Sequence, residues 1–317
     1  MESIVEIMKK WPELMNIKEP QALKGSRWQQ HQNRAITDEE SEVIMSNSEA
    51  AKKLKLRWNA PPDEKCPYCS ADIIFKGIKD KSSWVYEWIP EPCSCPEAQQ
   101  EYKHKQEREA AARAILNFKE SGMSRRHVLN TFESFRETPN NREAKQIAQK
   151  YVEDFHELLP KDASDPGRNG LFITGGVGVG KTHLVSAIAN ALLAKGYRVI
   201  CMTMIDLLDR IKKAYDYGEI SEGEVLELYE TVDLLIIDDL GKERVTEWGS
   251  SKIYTIINGR YERLMPTIVT TNYGDDELVS KLTPPNGDRI TAEATIDRLC
   301  EMCKGIVMSG DSWRSNK

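Results

Sequence analysis

Between Gly175 and Leu184 the chain reads GGVGVGKTHL, and no other stretch of its 317 residues restricts the fold as strongly. Gly175 and Gly180 are followed by Lys181 and Thr182, which completes the pattern G-x-x-x-x-G-K-[ST]. Glycine here lets the backbone bend until the N–H groups of Gly175, Gly176, Val177, Gly178, Val179 and Gly180 open into one concavity. The helix expected to begin at Lys181, with His183 in its first turn, adds the positive end of its dipole. Triphosphate oxygens fit that concavity, with Lys181 offsetting charge on the outer phosphates and the Thr182 hydroxyl as a ligand for Mg²⁺.

Such a loop works between a strand and a helix, and the flanking pattern supplies both. The apolar run LFITG precedes it and KTHLVSAIANALLAKG follows. Next come a strand in YRVICMT, a helical pair from Ile205 to Tyr229, a strand in VDLLIIDDL, a helix around Ser251 to Leu264 and a strand in TIVTTN. Alternation of this kind predicts an α/β fold with a parallel sheet flanked by helices on both faces. VDLLIIDDL ends in Asp238 and Asp239, which places two carboxylates at the C-terminal edge of the sheet, where ligands of such sheets collect. Asp238 suits the magnesium site, and Asp239 can orient or deprotonate an attacking water. An acidic turn after a strand is the plainer alternative.

The N-terminal part is of another kind. Residues 1–60 read as a helical region, with apolar periodicity at Ile4, Val5, Ile7 and Met8 and again from Glu39 to Leu56, closed by NAPPDE. Residues 61–96 form a cysteine module, with CPYC at Cys66 and Cys69 and CSC at Cys93 and Cys95. Two close pairs of thiolates can converge on one tetrahedral Zn²⁺, with His104 as a substitute ligand and unligated buried thiols as the alternative. Trp84, Tyr86 and Trp88 alternate along a strand between the pairs and pack a small zinc fold or dock a partner. Residues 97–122 read as a charged linker helix, and 123–317 as the nucleotide-binding domain. Cys300 and Cys303 fall in a helix as small packing residues.

A formal net charge of −6 excludes a polycation, so any contact with nucleic acid falls to a local patch; Arg210, Lys212 and Lys213 beside Tyr215 are the candidates for single-stranded DNA, with a solvated helix face as the alternative. With no membrane-length apolar run and no secretion signal, a cytoplasmic protein is expected.

From about Arg126 to its end, the sequence resembles the AAA+ ATPases of the bacterial replicative helicase loaders, the DnaC and DnaI kind, with the transposition helper IstB as a relative. The resemblance rests on GGVGVGKTHL, LLIIDDLG, IINGRYERLMPTIVTTN and TIDRLCEMCKGIVMSGDSWR. It implies ATP as the nucleotide, hydrolysis as the reaction, and a ring helicase and single-stranded DNA as partners. Asn272 then matches the polar residue that holds the γ-phosphate or the water. Arg298 matches the finger that enters a neighbouring subunit's site, which implies self-association, and Arg314 resembles a second sensor arginine. Loaders of the DnaI kind carry an N-terminal zinc module with a histidine ligand, a pattern from which these four cysteines depart. Competing readings are an IstB-like ATPase assisting a transposase, a small-molecule kinase, and an adaptor that binds ATP without turnover.

Overall fold

A computed structural model describes residues 41–48, 62–80, 87–124, 126–160, 167–217, 221–310 and Ser312. They fall in two compact units divided between Ala111 and Ala112.

In the first unit, β1 (Ser41–Met45), β2 (Phe75–Asp80) and β3 (Glu87–Pro90) form an antiparallel sheet in that order. The helical periodicity expected from Glu39 to Leu56 fails at its start. Ser41–Met45 is a strand, in register from Ser41 opposite Asp80 to Met45 opposite Lys76. The run SEVIM is too short for periodicity to separate the two states, and pairing with a distant strand decides. Of the aromatic stripe, Trp88 lies opposite Gly77 on β2, with its ring across that residue; Trp84 and Tyr86 lie outside the described residues. Helix α1 (Pro96–Glu120) continues from this unit into the second.

The second unit is a five-stranded parallel sheet. Its strands are β4 (Gly170–Gly175), β5 (Val199–Thr203), β6 (Leu234–Asp238), β7 (Thr267–Thr271) and β8 (Cys303–Met308), in the spatial order β5-β6-β7-β4-β8. Around it run α2 (Arg142–Glu153), α3 (Phe155–Leu158), α4 (Lys181–Ala194), α5 (Met204–Tyr217), α6 (Glu222–Thr231), α7 (Glu247–Glu262), α8 (Asp275–Leu282) and α9 (Arg289–Met302). Successive strand residues point to opposite faces, so an apolar run feeds two cores. Leu234 and Ile236 pack with Leu184, Ile188 and Leu192 of α4, whereas Leu235 and Ile237 pack with Ile211 of α5 and Ile253, Ile256 and Ile257 of α7. This is the doubly covered parallel sheet expected from the alternation.

Strand β8 was not legible as a strand. Cys303, expected in a helix, is extended and opens β8, because α9 stops at Met302 and the chain then pairs with β4 from Gly170 opposite Cys303 to Gly175 opposite Met308. Its thiol is buried and contacts the Thr267 carbonyl at 3.4 Å. Cys300, expected to pack, is exposed on α9. Arg260 is fully buried, and among the described residues its bonds run to uncharged oxygens. It donates to the carbonyls of Tyr229 and Val232 at 2.7 and 2.9 Å and to the Thr267 hydroxyl at 2.9 Å, so one guanidinium ties the end of α6 to the start of β7.

Candidate functional site

The loop from Gly176 to Gly180 joins the end of β4 to α4 at the C-terminal edge of the sheet. Two of its glycines are required by geometry. At Gly175 a Cβ would stand 2.1 Å from the Met308 carbonyl oxygen of the neighbouring strand. Gly180, the residue before α4, has φ of +105°, a left-handed conformation that costs other residues about 1–2 kcal/mol. Val177 is 64% exposed at the tip of the loop, whereas Val179 turns its side chain into the core and offers only backbone to a ligand.

Lys181 is 5% exposed, and its ammonium donates to the carbonyls of Gly175 and Gly176 at 2.7 and 2.8 Å and to Asn272 Oδ1 at 2.6 Å. The Thr182 hydroxyl donates to Asp238 Oδ2 at 2.9 Å. Asp238 is 5% exposed at the end of β6, and its other oxygen accepts from the Thr270 hydroxyl at 2.6 Å. Burial raises the Asp238 carboxyl above the usual range, partly offset by the Thr270 bond; Asp239 adds to the rise and the Thr182 bond opposes it. Asp239 sits at φ of +57°, unusual for a residue with a Cβ. Its N–H donates to Thr270 Oγ1 at 2.9 Å, and its carboxylate accepts from Lys242 at 2.8 Å. A single hydroxyl, on Thr270, therefore touches both acids.

Of these residues, Val177, Gly178, Gly180, Lys181, Thr182, Asp239, Lys242 and Asn272 line a cavity of about 660 Å³. The segment 126–136 contributes Arg126, His127, Asn130, Ser134, Phe135 and Arg136 to the lining. His183 also lines the cavity, with its ring engaged by that segment: Nε2 is 3.1 Å from both Ser134 Oγ and the Thr131 carbonyl. Sequence reasoning missed that segment, Thr270 and Lys242. The two threonines that end the strand TIVTT were the available signal for Thr270.

Other predicted residues lie away from the cavity. Arg298, on α9, is not among its lining residues. Its Nε donates to Asn258 Oδ1 at 2.8 Å, and its guanidinium lies over the rings of Tyr254 and Tyr261 at 5.1 and 5.6 Å. Arg314 lies outside the described residues. On α5, Arg210 donates to the Glu120 carbonyl at 3.2 Å, Lys212 lies 5.2 Å over the Trp248 ring, and Lys213 is exposed.

Two metals are implied, and the donors present suit both. Thr182 and Asp238 are adjacent hard oxygens, one a buried carboxylate that a cation would stabilise. In the first unit, the sulfurs of Cys66, Cys69, Cys93 and Cys95 all lie within 4.8 Å of one another. Cys66 and Cys95 are 3.7 Å apart and Cys69 and Cys93 3.5 Å. Four thiolates at roughly 2.3 Å from one tetrahedral ion stand about 3.8 Å apart, so the set fits zinc. The backbone amides of Cys69 and Tyr68 face the Cys66 sulfur and lower its thiol to about 7, whereas the neighbouring sulfurs help to raise Cys69 and Cys95. His104, on α1, is not a member of the cluster. Among the described residues no helix is long and apolar enough to cross a membrane.

Comparison with known proteins adds relatives to this geometry. The family described as IstB-like ATP binding protein matches residues 100–317, a range that begins after the four cysteines. The chain is 28% identical over 199 residues to the replicative helicase loader DnaC of Escherichia coli strain K12, covering 62% of this chain and 74% of that one. It is 27% identical over 169 residues to the replicative helicase loader DnaI of Bacillus subtilis strain 168, covering 52% and 53%. A protein of insertion sequence IS5376 from Geobacillus stearothermophilus is 31% identical over 172 residues, covering 53% and 64%.

Proposed function

Because the chain belongs to the family of IstB-like ATP binding proteins, we propose that it is an ATP-dependent loader that places a replicative ring helicase on single-stranded DNA. The observation that carries this reading is its similarity, across the nucleotide-binding unit, to two proteins named as replicative helicase loaders. The cysteine cluster outside the family match adds support, since a second module is what a docking function needs.

In this reading the amides of the Gly175–Gly180 loop and Lys181 bind the phosphates of ATP. Thr182 and Asp238 hold Mg²⁺, which when bound neutralises charge between the outer phosphates. Asn272 can both donate and accept, so it orients the terminal phosphate or the water, while Asp239 accepts a proton from that water. Arg298 lies outside the chain's own cavity, which favours a role in a neighbouring copy's site. Hydrolysis then requires self-association. Residues 1–60 and the zinc module of 61–96 dock the helicase, 97–122 links them to the ATPase domain of 123–317, and Arg314 contacts the nucleotide as a second sensor. Lys213, exposed on α5, with Arg210 and Lys212 close by, meets the single strand.

The test is to mix the purified protein with a replicative ring helicase and size the product with and without ATP. A complex that ATP stabilises or remodels is expected; no complex under either condition overturns the reading. A second reading, an ATPase that assists a transposase, is favoured by the family match and by the insertion-sequence relative. It would give ATP-dependent binding to the transposase in place of the helicase.

A further inference from the structure

The phosphate loop supplies one lysine, and the cavity holds a second. Lys242 lines it together with Gly178, Lys181 and Asn272, and its ammonium donates to Asp239 Oδ2 at 2.8 Å. Among the described residues Asp239 is the one carboxylate in that lining. The ammonium therefore rests on the group that is to take a proton from the attacking water. An anion entering the cavity meets a negative charge there, and the cation nearest to that charge is Lys242.

Backbone bonds fix the point from which this lysine moves. The Asp239 N–H donates to Thr270 Oγ1 at 2.9 Å, the Leu240 N–H to the Thr270 carbonyl at 2.8 Å, and the Leu240 carbonyl accepts from the Thr271 hydroxyl at 2.8 Å. The Lys242 N–H closes the turn on the Asp239 carbonyl at 3.2 Å. Beyond that turn the side chain is loosely held. It is 59% exposed, whereas Lys181 is buried among three acceptors. An ion pair so open to water is weak, and an anion of higher charge can take the ammonium from it. A terminal phosphate, with three strong acceptor oxygens, is such an anion. A water bonded to the Asp239 carboxylate would lie within about 6 Å of the ammonium, a distance that rotation of a four-carbon stem covers.

We infer that Lys242 is a second phosphate-binding lysine of the site, and that its ammonium passes from Asp239 to the third phosphate of ATP. The exchange has two consequences. It distinguishes ATP from ADP, which lacks that phosphate, and it frees the Asp239 carboxylate to accept the proton of the water. Lys242 keeps its own proton throughout. The inference rests on the ATP-binding reading above.

Calorimetric titration of the full chain with magnesium and either a non-hydrolysable ATP analogue or ADP tests it. For Lys242→Ala, affinity for the analogue is expected to fall roughly tenfold while affinity for ADP stays within about twofold of the parent. Lys242→Arg keeps the charge and should keep most of the analogue affinity. In an Asp239→Asn background the ammonium has no carboxylate to leave, so Lys242→Ala should cost more analogue affinity there than in the parent. Unchanged analogue affinity in Lys242→Ala overturns the inference, as does an equal loss for analogue and ADP, or an arginine variant as weak as the alanine one. An equal or smaller cost in the Asp239→Asn background also overturns it, because the ammonium then does not exchange one anion for the other. A parent protein that binds neither nucleotide would instead overturn the ATP-binding reading on which the inference depends.

Discussion

Replacing Asp238 by asparagine removes one buried charge from the end of β6, beside Thr182, while keeping the shape of the side chain. The carboxylate is 5% exposed, stands beside a second acid, and is held by two neutral hydroxyls, from Thr182 and Thr270. Burial is the largest reason that its carboxyl is raised above the ordinary value of 3.8. A carboxyl raised in the folded state holds its proton more tightly there than in the unfolded chain. Stability is therefore lost as pH climbs from 3.8 through the folded value. Asparagine removes that cost. It retains one oxygen for one hydroxyl, and the other hydroxyl must turn to accept from the new amide, a rearrangement of about 1 kcal/mol or less. The net expectation for Asp238→Asn without nucleotide is a gain of roughly 1–2 kcal/mol. For a domain of this size that corresponds to a Tm higher by about 3–6 °C.

Nucleotide should reverse the order. At a hundredfold excess over Kd a ligand adds about 2.7 kcal/mol to the parent, and almost none to a variant that has lost the anionic ligand for Mg²⁺. Thermal unfolding of both proteins, with and without Mg·ATP, reads the crossing directly. The gap without nucleotide should widen as pH rises above 3.8 through the folded value, following the charge on Asp238. A variant that melts at or below the parent without nucleotide would refute the claim that this carboxylate is held at a cost. Equal Mg·ATP shifts in the two proteins would refute its place in the metal site.

Two further outcomes are expected. Stripping metal with a strong chelator should release one zinc per chain and unfold the cysteine-bearing unit while leaving the Mg·ATP shift of the other unit in place; purified protein without zinc would remove the metal from this account. Arg298→Ala should bind ATP as the parent does but lose the part of its hydrolysis that rises with protein concentration, and equal turnover at high concentration would rule out a role in trans.

Sequence legibility followed the range of the forces involved. The loop, its lysine and threonine, and the two acids were readable because a tight bend and a parallel strand end each impose local composition. The buried runs of β6 and β7 were readable for the same reason. β8 was not, because CKGIVM follows a helix without a turn residue between them, and only its pairing with β4 makes it a strand. β1 failed likewise, since SEVIM is too short to show a period and its partner lies more than thirty residues away. The 126–136 part of the cavity lining left no local trace either. It is placed by Asn190 and His183, through bonds to backbone about fifty to sixty residues earlier in the chain.

Strand order shows why β7, readable as a strand, is also the central element of the site. β7 lies between β6, which carries the acids, and β4, which feeds the loop, although in the chain it follows both. Three residues at its end consequently reach every part. Thr270 donates to Asp238 and accepts from the Asp239 N–H. Thr271 donates to the Leu240 carbonyl, fixing the turn after the acids, and Asn272 accepts from Lys181. A displacement of β7 by a fraction of an ångström would lengthen bonds to the acids and to the lysine together, whereas the same movement of β4 or β6 alone would disturb one set. The polar end of TIVTTN is thus the mechanical link between the two acids and the loop lysine, and the order of strands, which no local pattern encodes, is what makes it so.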